Sequence, residues 1–315
     1  MSGMADFSRR DFARVVAASG MVLPAAAAGT LPTRRLGKIN FQASILGLGT
    51  QHLGDPGVEQ STVDRVIGEA LDNGLNYIDT APPYNQSEER VGKALRGKRD
   101  KVFLVSKVET NAKGDVEYQL HDSLRKLQTD YLDCVHIHNV SRSDRYPNLD
   151  QVLAADGTLG ALVDAKKKGL IKHIGCTSHQ RPARVLPVFA TGEIELFMCT
   201  VNFVERHIYG YEEKVLPEAR RRNIGVIAMK VLGGPVKPGG ARLISSEDYQ
   251  TTLRYVWGVQ GVSVAIIGLR TVEELRQALT AARAFHPFDA KEMTLVTERG
   301  KSIAAQWGPL RGPVA

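Results

Sequence analysis

The protein has 315 residues, of which 43% are hydrophobic and 24% are charged, and its formal net charge is +7. This composition supplies enough apolar material for a large core without approaching that of a membrane protein. The Lys and Arg residues are scattered rather than gathered into runs with aromatic residues, so we expect an anionic small ligand and no nucleic acid as a partner.

Residues 1–28 have the layout of an export signal. Arg9 and Arg10 precede a weakly apolar, Ala-rich run over 15–28 that ends in small residues, as cleaved signals do. The run is too short to span a bilayer permanently, so we expect no stable membrane insertion. The paired arginines resemble a twin-arginine signal, which predicts a transient contact with the Tat translocase and a periplasmic location. The alternative is a frayed helix with incidental arginines in a cytoplasmic protein.

Residues 29–315 are predicted to form one domain, which begins with a hairpin around 37–40. Short apolar runs follow at 44–48, 75–78, 102–106, 131–137, 171–176, 196–201, 225–229 and 262–267. Between them lie amphipathic stretches with apolar residues every three or four positions, at 61–73, 88–95, 116–127, 159–168, 182–190, 211–222, 247–256 and 272–284. Such an α/β succession of strand and helix units predicts a parallel sheet closed into a (β/α)₈ TIM barrel with an N-terminal hairpin.

The alternative fold is a doubly wound open sheet. That fold usually carries a Gly-x-Gly-x-x-Gly turn between its first strand and first helix. Here Gly47 and Gly49 lack the third glycine and the helix that should follow at once. The barrel is therefore favoured.

Polar residues directly after the predicted strands are the candidates for catalysis, because barrel active sites form at the carboxyl ends of the strands. Asp79, Lys107 and His138 occupy such positions, and Tyr84 follows in the loop after Asp79. A phenol is a weak acid at neutral pH unless a nearby cation stabilises its phenolate, and Lys107 can supply that cation. Asp79 would keep Lys107 protonated. We expect Tyr84 to be a proton donor and His138 to donate a hydrogen bond to a substrate carbonyl.

No metal site is predicted. Cys134, Cys176 and Cys199 each lie in an apolar run without metal-ligand spacing, which indicates core packing. His136 and His138 point to the same side of one strand, but a third ligand is not in view, so His136 is also interpreted as a packing residue.

These segments together resemble the aldo-keto reductase family. The resemblance runs from about residue 34 to 284 and rests on the stretches 76–84, 87–95, 105–107, 129–138, 169–178 and 266–275. It implies a (β/α)₈ barrel that catalyses reversible, NAD(P)H-linked carbonyl reduction without a metal. It also implies that Asp79, Tyr84, Lys107 and His138 form the catalytic tetrad.

The resemblance further implies a cofactor site that departs from the family pattern in places. Thr177 and Ser178 stand where the family holds the nicotinamide amide with Ser-Asn, and Met229 replaces a stacking tyrosine. Lys230, beside the glycines of the loop 233–235, is expected to bind the pyrophosphate. The full predicted set is Gly49, Thr50, Asp79, Thr177, Ser178, Asn202, Met229, Lys230, Leu232, Gly268, Arg270, Thr271, Glu274 and Gln277.

Arg270 and Thr271 match the place where the family holds the 2′-phosphate of the cofactor. This favours NADPH over NADH, with NADH as the alternative because Glu274 brings a negative charge close by. The expected activity is reduction of an aldehyde or ketone. Two alternatives are a barrel that binds NADP(H) as a sensor or regulatory subunit, and a lyase or aldolase that uses Lys107 as a Schiff base. The loops 51–58, 139–150 and 230–246 and the C-terminus are expected to select the substrate.

Overall fold

Two β-sheets form the framework of residues 29–234 and 244–315, which are the residues that the computed structural model describes. The strands are β1 (Thr33–Leu36), β2 (Ile39–Ser44), β3 (Leu46–Gly49), β4 (Tyr77–Asp79), β5 (Phe103–Val108), β6 (Leu132–Ile137), β7 (Ile171–Ser178), β8 (Leu196–Thr200), β9 (Gly225–Met229) and β10 (Val262–Gly268). The predicted signal segment 1–28 and Pro235 lie outside the described residues.

Strands β3 to β10 lie side by side in chain order, and β10 pairs with β3 to close a barrel. Every neighbouring pair is parallel, with Gly49 opposite Gly268 where the last strand meets the first. The eight strands overlap the eight predicted apolar runs, and the closed sheet confirms the predicted (β/α)₈ barrel. A doubly wound open sheet is thereby excluded. All strand carboxyl ends consequently meet at one rim.

The predicted N-terminal hairpin is present as the antiparallel pair β1 and β2. It packs on the opposite end of the barrel, where Lys38 donates its backbone N–H to the Asn223 carbonyl at 2.7 Å. Gly37 has φ +52°, and a Cβ there would lie 2.3 Å from the backbone nitrogen of Gly225. Only glycine fits this turn, because it tolerates both the left-handed backbone and the close approach. The hairpin side chains Leu36 and Ile39 join the barrel interior.

The helices cover the outside of the barrel and bury its outer apolar face. They are α1 (Gln60–Asp72), α2 (Ser87–Ala94), α3 (Lys113–Leu127), α4 (Leu149–Leu153), α5 (Thr158–Lys167), α6 (Val185–Ala190), α7 (Tyr211–Lys214), α8 (Leu216–Arg221), α9 (Tyr249–Gly258), α10 (Val272–Arg283) and α11 (Ala290–Trp307). The sequence patterns did not include α4 or α11. None of the helices in the described residues is long and apolar enough to cross a membrane.

Helix α11 begins with a capping box. The Asp289 carboxylate accepts the backbone N–H of Glu292 at 2.8 Å, and the Glu292 carboxylate accepts that of Asp289 at 2.9 Å. Both bonds satisfy amide groups that the first helical turn leaves without partners. The chain then passes over the carboxyl-end rim of the barrel, where Arg311 reaches the central cavity.

The three cysteines and His136 are buried in the described structure. A Cβ on Gly175, in the neighbouring strand, would lie 2.3 Å from Nδ1 of His136. The glycine therefore makes room for the imidazole ring inside the barrel wall.

Candidate active site

A cavity of about 610 Å³ opens at the carboxyl-end rim of the barrel. Asp79, Tyr84, Lys107 and His138 all line it, although they come from three different strand ends along the sequence. They meet because parallel strands in a closed barrel end at the same rim. The cavity is therefore the candidate active site.

Lys107 forms a buried ion pair at the base of this cavity. Its Nζ lies 2.6 Å from Oδ1 of Asp79 and donates to the Thr80 carbonyl at 2.7 Å. The side chains of Lys107 and Asp79 are only 1% and 2% exposed. Burial lowers the pKa of Lys107, but the Asp79 carboxylate and the Tyr84 hydroxyl outweigh burial and raise the pKa above its usual value. Lys107 is accordingly a fixed cation at neutral pH.

Tyr84 is half-buried beside this cation. Lys107 Nζ lies 4.8 Å from the centre of the Tyr84 ring, and the His138 ring meets the same ring edge-on at 6.5 Å between centres. Burial raises the pKa of Tyr84 although Lys107 opposes the shift. The hydroxyl therefore keeps its proton at neutral pH, next to a group that stabilises its ionised form.

His138 contacts a carboxylate that the sequence reasoning did not include. Its Nδ1 lies 2.5 Å from Oε1 of Glu109, and Arg145 contacts the same carboxylate oxygen. Burial lowers the pKa of His138 to about 4 despite the opposing effect of Glu109. Burial raises the pKa of Glu109, but His138 and Arg145 outweigh it and hold the value at about 2. The pair is thus a neutral imidazole facing a carboxylate.

Thr177, His179 and Met229 also line the cavity. Nε2 of His179 lies 3.2 Å from Sδ of Met229, and the Thr177 hydroxyl accepts the backbone N–H of Asn139 at 2.7 Å. The neighbouring Ser178 does not line the cavity, because its hydroxyl is 2.5 Å from the Tyr211 hydroxyl inside the protein. Of the two residues predicted to hold an amide, only Thr177 reaches the cavity.

Two basic side chains line one part of the cavity: Lys230, which follows β9, and Arg311. Arg311 Nη2 lies 2.8 Å from Oε2 of Glu205, a carboxylate that is only 3% exposed. Lys230 has a left-handed backbone with φ +54° and forms no ion pair within residues 29–234 and 244–315. Burial lowers the pKa of Lys230. A half-buried ammonium without a carboxylate partner suits an anionic ligand.

Asn202 does not line the cavity, but its side chain bonds both Glu205 and the backbone of Lys230. Its Nδ2 donates to Glu205 at 2.6 Å and to the Lys230 carbonyl at 3.1 Å. Its side-chain oxygen accepts the backbone N–H of Glu205 at 2.8 Å. These bonds use the amide inside the protein, so Asn202 holds the Lys230 turn in place.

Arg270 lies at the exposed edge of the cavity beside residues that follow β3. Its Nη2 is 3.1 Å from Oδ2 of Asp55 and 3.1 Å from Nδ1 of His52. Glu274 accepts the Arg270 backbone N–H at 2.7 Å, and Thr271 caps helix α10 by accepting the backbone N–H of Glu274. The charge of Arg270 is therefore shared with Asp55, while Thr271 and Glu274 form the start of the helix.

The remaining predicted cofactor residues divide into two groups. Gly49, Leu232 and Gly268 line the cavity. Thr50 and Gln277 do not line it, and the Thr50 hydroxyl bonds the Asp79 carbonyl at 2.8 Å and so holds the end of β4.

The sequence analysis did not single out the cavity residue His179 or the adjoining Glu109, and it included Gln51, His52, Asp55 and Arg311 only within the loop 51–58 and the C-terminus that it expected to select the substrate. Glu109 and His179 each stand one residue beyond an observed strand end, but three residues beyond the predicted runs 102–106 and 171–176, so the rule that selected Lys107 and His138 did not reach them. Arg311 follows no predicted strand and reaches the cavity from the C-terminal segment after α11, which was expected only in general terms to select the substrate.

Comparison with known proteins agrees with this geometry. The model of the Aldo/keto reductase family matches residues 45–242. The aldo-keto reductase YhdN of Bacillus subtilis is 32% identical over 202 residues, which cover 58% of this chain and 57% of that protein. The oxidoreductase YqkF of the same organism, whose function is uncharacterised, is 25% identical over 80% of this chain and 91% of its own length.

The fold is also that of solved structures. The holo form of aldo-keto reductase AKR11C1 from Bacillus halodurans superimposes with a TM-score of 0.70, covering 85% of this chain and 96% of that one at 23% identity. That likeness concerns the fold alone. Since the family match spans well over half of the sequence, the chain belongs to the aldo/keto reductase family and is an oxidoreductase enzyme.

Proposed function

We propose that the protein reduces an aldehyde or ketone to the alcohol with a nicotinamide cofactor, and that Tyr84 donates the proton. Family membership supports NAD(P)H-dependent carbonyl reduction in general terms. The observation that carries the finer assignment is the buried Lys107, paired with Asp79 at 2.6 Å and lying beside the Tyr84 ring. This arrangement combines a protonated donor with a fixed cation that stabilises its ionised form.

Each side chain has a definable part in proton delivery. Asp79 keeps Lys107 charged, and the Thr80 carbonyl fixes the direction of the ammonium group. As a carbonyl oxygen gains negative charge, Tyr84 transfers its proton to that oxygen, and Lys107 stabilises the phenolate that remains. His138 is placed beside Tyr84 to orient the substrate.

The cavity also fits a dinucleotide cofactor, which would supply the hydride when bound. Lys230 offers a half-buried ammonium without an ion-pair partner in the described residues, and Arg311 adds a second cation. Gly49 adds no side chain to the wall beside β3, which allows a flat ring to approach the backbone there. Beside Gly268 the His52 ring lies 2.8 Å from where a Cβ would be. We further propose that Arg270 binds the 2′-phosphate of NADPH and so gives a preference for NADPH over NADH.

The alternative of a Schiff-base lyase or aldolase is disfavoured by the state of Lys107. A lysine nucleophile must lose its proton, and the ion pair with Asp79 raises the pKa of Lys107. No feature of the cavity favours a barrel that binds the cofactor without turnover.

The test is the reduction of a generic aldehyde, such as a nitrobenzaldehyde, by Tyr84→Phe. The variant should bind NADPH with the affinity of the wild type, because the hydroxyl is needed in the transition state and not for dinucleotide binding. Its turnover should fall about 10²- to 10⁴-fold, the usual effect of removing a positioned acid. Retention of more than about a tenth of wild-type turnover would contradict the assignment of Tyr84.

A further inference from the structure

A second cavity, of about 670 Å³, opens at the amino ends of the barrel strands, opposite the candidate active site. Three arginines line it: Arg34 and Arg35 from β1, and Arg220 from α8. No Asp or Glu stands among the described residues that line this cavity. We call it the basic cavity. Its volume is in the range of small-molecule binding sites.

Arg34 is held in the wall of the basic cavity by two backbone carbonyls. Its Nη1 donates to the Val262 carbonyl and its Nη2 to the Trp257 carbonyl, each at 2.7 Å. Burial lowers the pKa of Arg34, and no carboxylate of the described residues offsets this effect. The guanidinium is therefore a half-buried charge that lacks a counter-ion in the described structure.

Arg220 reaches the basic cavity across the loop that precedes β10. Its Nη1 donates to the Gln260 carbonyl at 3.1 Å. The next residue, Gly261, has φ +97°, and a Cβ there would lie 2.9 Å from Cγ of Arg220. Glycine tolerates both this backbone and this close contact. It therefore allows the arginine side chain to lie along the loop.

Arg35 adds a third positive charge. Its Nε lies 3.3 Å from the Ile39 carbonyl and its Nη2 lies 3.5 Å from the Lys38 carbonyl, so both bonds are long. Its backbone is fixed, because the Ser263 hydroxyl donates to the Arg35 carbonyl at 2.9 Å. In the part of the chain that the structure describes, all three guanidinium groups bond backbone carbonyls and none is in an ion pair.

Helix α9 gives a structural reason for Arg34 alone. Trp257 lies in the last turn of α9, and a cation at the carboxyl end of a helix opposes the helix dipole. This reason does not extend to Arg35, whose bonds go to the hairpin turn, although it lines the same cavity. Three cations from three segments therefore need a further explanation.

We propose that the basic cavity binds the phosphate group of an organic phosphate. Planar guanidinium groups form paired hydrogen bonds with phosphate oxygens. Three positive charges without an acidic neighbour in the cavity favour an anion that carries more than one negative charge. A soluble phosphate ester and a phospholipid headgroup share this chemistry. The proposal is independent of carbonyl reduction, because the basic cavity shares no residue with the candidate active site.

The test is titration calorimetry with glycerol 3-phosphate, with glycerol as the uncharged control ligand. The wild type should bind glycerol 3-phosphate and not glycerol. Arg35→Gln and Arg220→Gln should each weaken binding about tenfold, because each removes one charge-assisted hydrogen bond. Arg65→Gln makes the same chemical change at an exposed position of α1 and should leave the affinity unaltered.

Two controls locate the binding and check the fold. Lys230 can also attract anions, so the titrations are repeated in Lys230→Gln, where both arginine substitutions should have the same effect. Arg35 and Arg220 are exposed, so their variants should unfold at the wild-type temperature. A wild type that binds no glycerol 3-phosphate would overturn the proposal. So would an affinity that falls in Lys230→Gln but in neither arginine variant.

The source of the phosphate is distinguished by flotation with vesicles of phosphatidylglycerol, with phosphatidylcholine vesicles as the control of zero net charge. Binding to phosphatidylglycerol that is lost in Arg35→Gln and Arg220→Gln would assign the basic cavity to a lipid headgroup. Binding of glycerol 3-phosphate without such arginine-dependent vesicle binding would assign it to a soluble phosphate ester.

Discussion

Arg270 and Asp55 meet at the edge of the cavity, with Nη2 of Arg270 3.1 Å from Oδ2 of Asp55. The two residues follow β10 and β3, which are hydrogen-bonded neighbours where the barrel closes. Their side chains are 51% and 33% exposed, so the ion pair is solvated and weak. The guanidinium that we propose for the 2′-phosphate is thus already partly neutralised by the protein itself.

This pairing predicts opposite effects of two substitutions on cofactor affinity. Arg270→Ala should weaken NADPH binding about tenfold relative to NADH, because a charge-assisted contact is lost. Asp55→Asn should tighten NADPH binding by up to about fivefold, because an exposed ion pair that competes with the phosphate contributes at most about 1 kcal/mol. Fluorescence titration of the wild type and the two variants with both cofactors measures the six affinities. Equal wild-type affinities for NADPH and NADH would contradict the role of Arg270.

Lys107 and Tyr84 should behave as one unit in catalysis. Lys107→Met should slow carbonyl reduction to nearly the level of Tyr84→Phe, since it removes the cation that stabilises the phenolate. The double variant should be barely slower than either single variant, because Lys107 has nothing to activate once the hydroxyl is gone. Single-turnover rates at saturating cofactor give the comparison. Effects that multiply in the double variant would show that the two side chains act separately.

The buried carboxylate of Glu205 should make Arg311 important for stability. Arg311→Met leaves Glu205 without its cation in a site that is 3% exposed, and should lower the free energy of unfolding by about 3 kcal/mol. Adding Glu205→Gln removes the uncompensated charge and should restore most of this loss. Denaturant unfolding of both variants gives the two free energies. A double variant as unstable as Arg311→Met would mean that the charge of Glu205 is not the cause.

Glu195 should make the free energy of unfolding depend on pH in the acid range. Burial raises its pKa, but hydrogen bonds with His173 and Lys166 outweigh burial and lower the pKa from 4.5 to about 2. A carboxylate whose pKa is lower in the folded state than in the unfolded state stabilises the fold at pH values above its unfolded-state pKa. This stabilisation is lost as the pH falls towards 2. Glu195→Gln should therefore cost about 2 kcal/mol at neutral pH, allowing for partial solvation.

The measurement is the free energy of unfolding of wild type and Glu195→Gln across the acid range. The difference between their free energies of unfolding should shrink to zero as the pH falls from 4.5 towards 2. Glu193→Gln, at an exposed position two residues earlier, is the matched control and should show no gap. A gap for Glu195→Gln that is independent of pH would contradict the electrostatic account.

For the N-terminal segment we propose export through the twin-arginine route, followed by cleavage near residue 28. Replacing Arg9 and Arg10 by lysine should retain the protein in the cytoplasm, because this pathway reads the arginine pair. Fractionation and N-terminal sequencing of the mature protein provide the measurement. An unchanged distribution, with residue 1 or 2 still at the N-terminus, would contradict export.

Much of the barrel could be predicted from local sequence patterns. The alternation of apolar runs with amphipathic stretches marks all eight barrel strands, because parallel strands buried on both faces need continuous apolar residues. Helix α11 was missed, although its capping box is legible at Asp289 and Glu292. The short α4, only five residues long, has too few turns to show a helical period.

The sequence by itself determined the succession of strands and helices along the chain. It also placed Asp79, Lys107 and His138 at strand ends and Tyr84 in the loop after Asp79, because buried strands and amphipathic helices each have a local pattern of apolar residues. Closure of the barrel decided which other residues meet them, because contacts between distant segments leave no periodic signal. Only the tertiary structure brings Glu109 against His138 and Asp55 against Arg270. It likewise turns the amide of Asn202 and the hydroxyl of Ser178 to partners inside the protein, where buried polar groups must find hydrogen bonds.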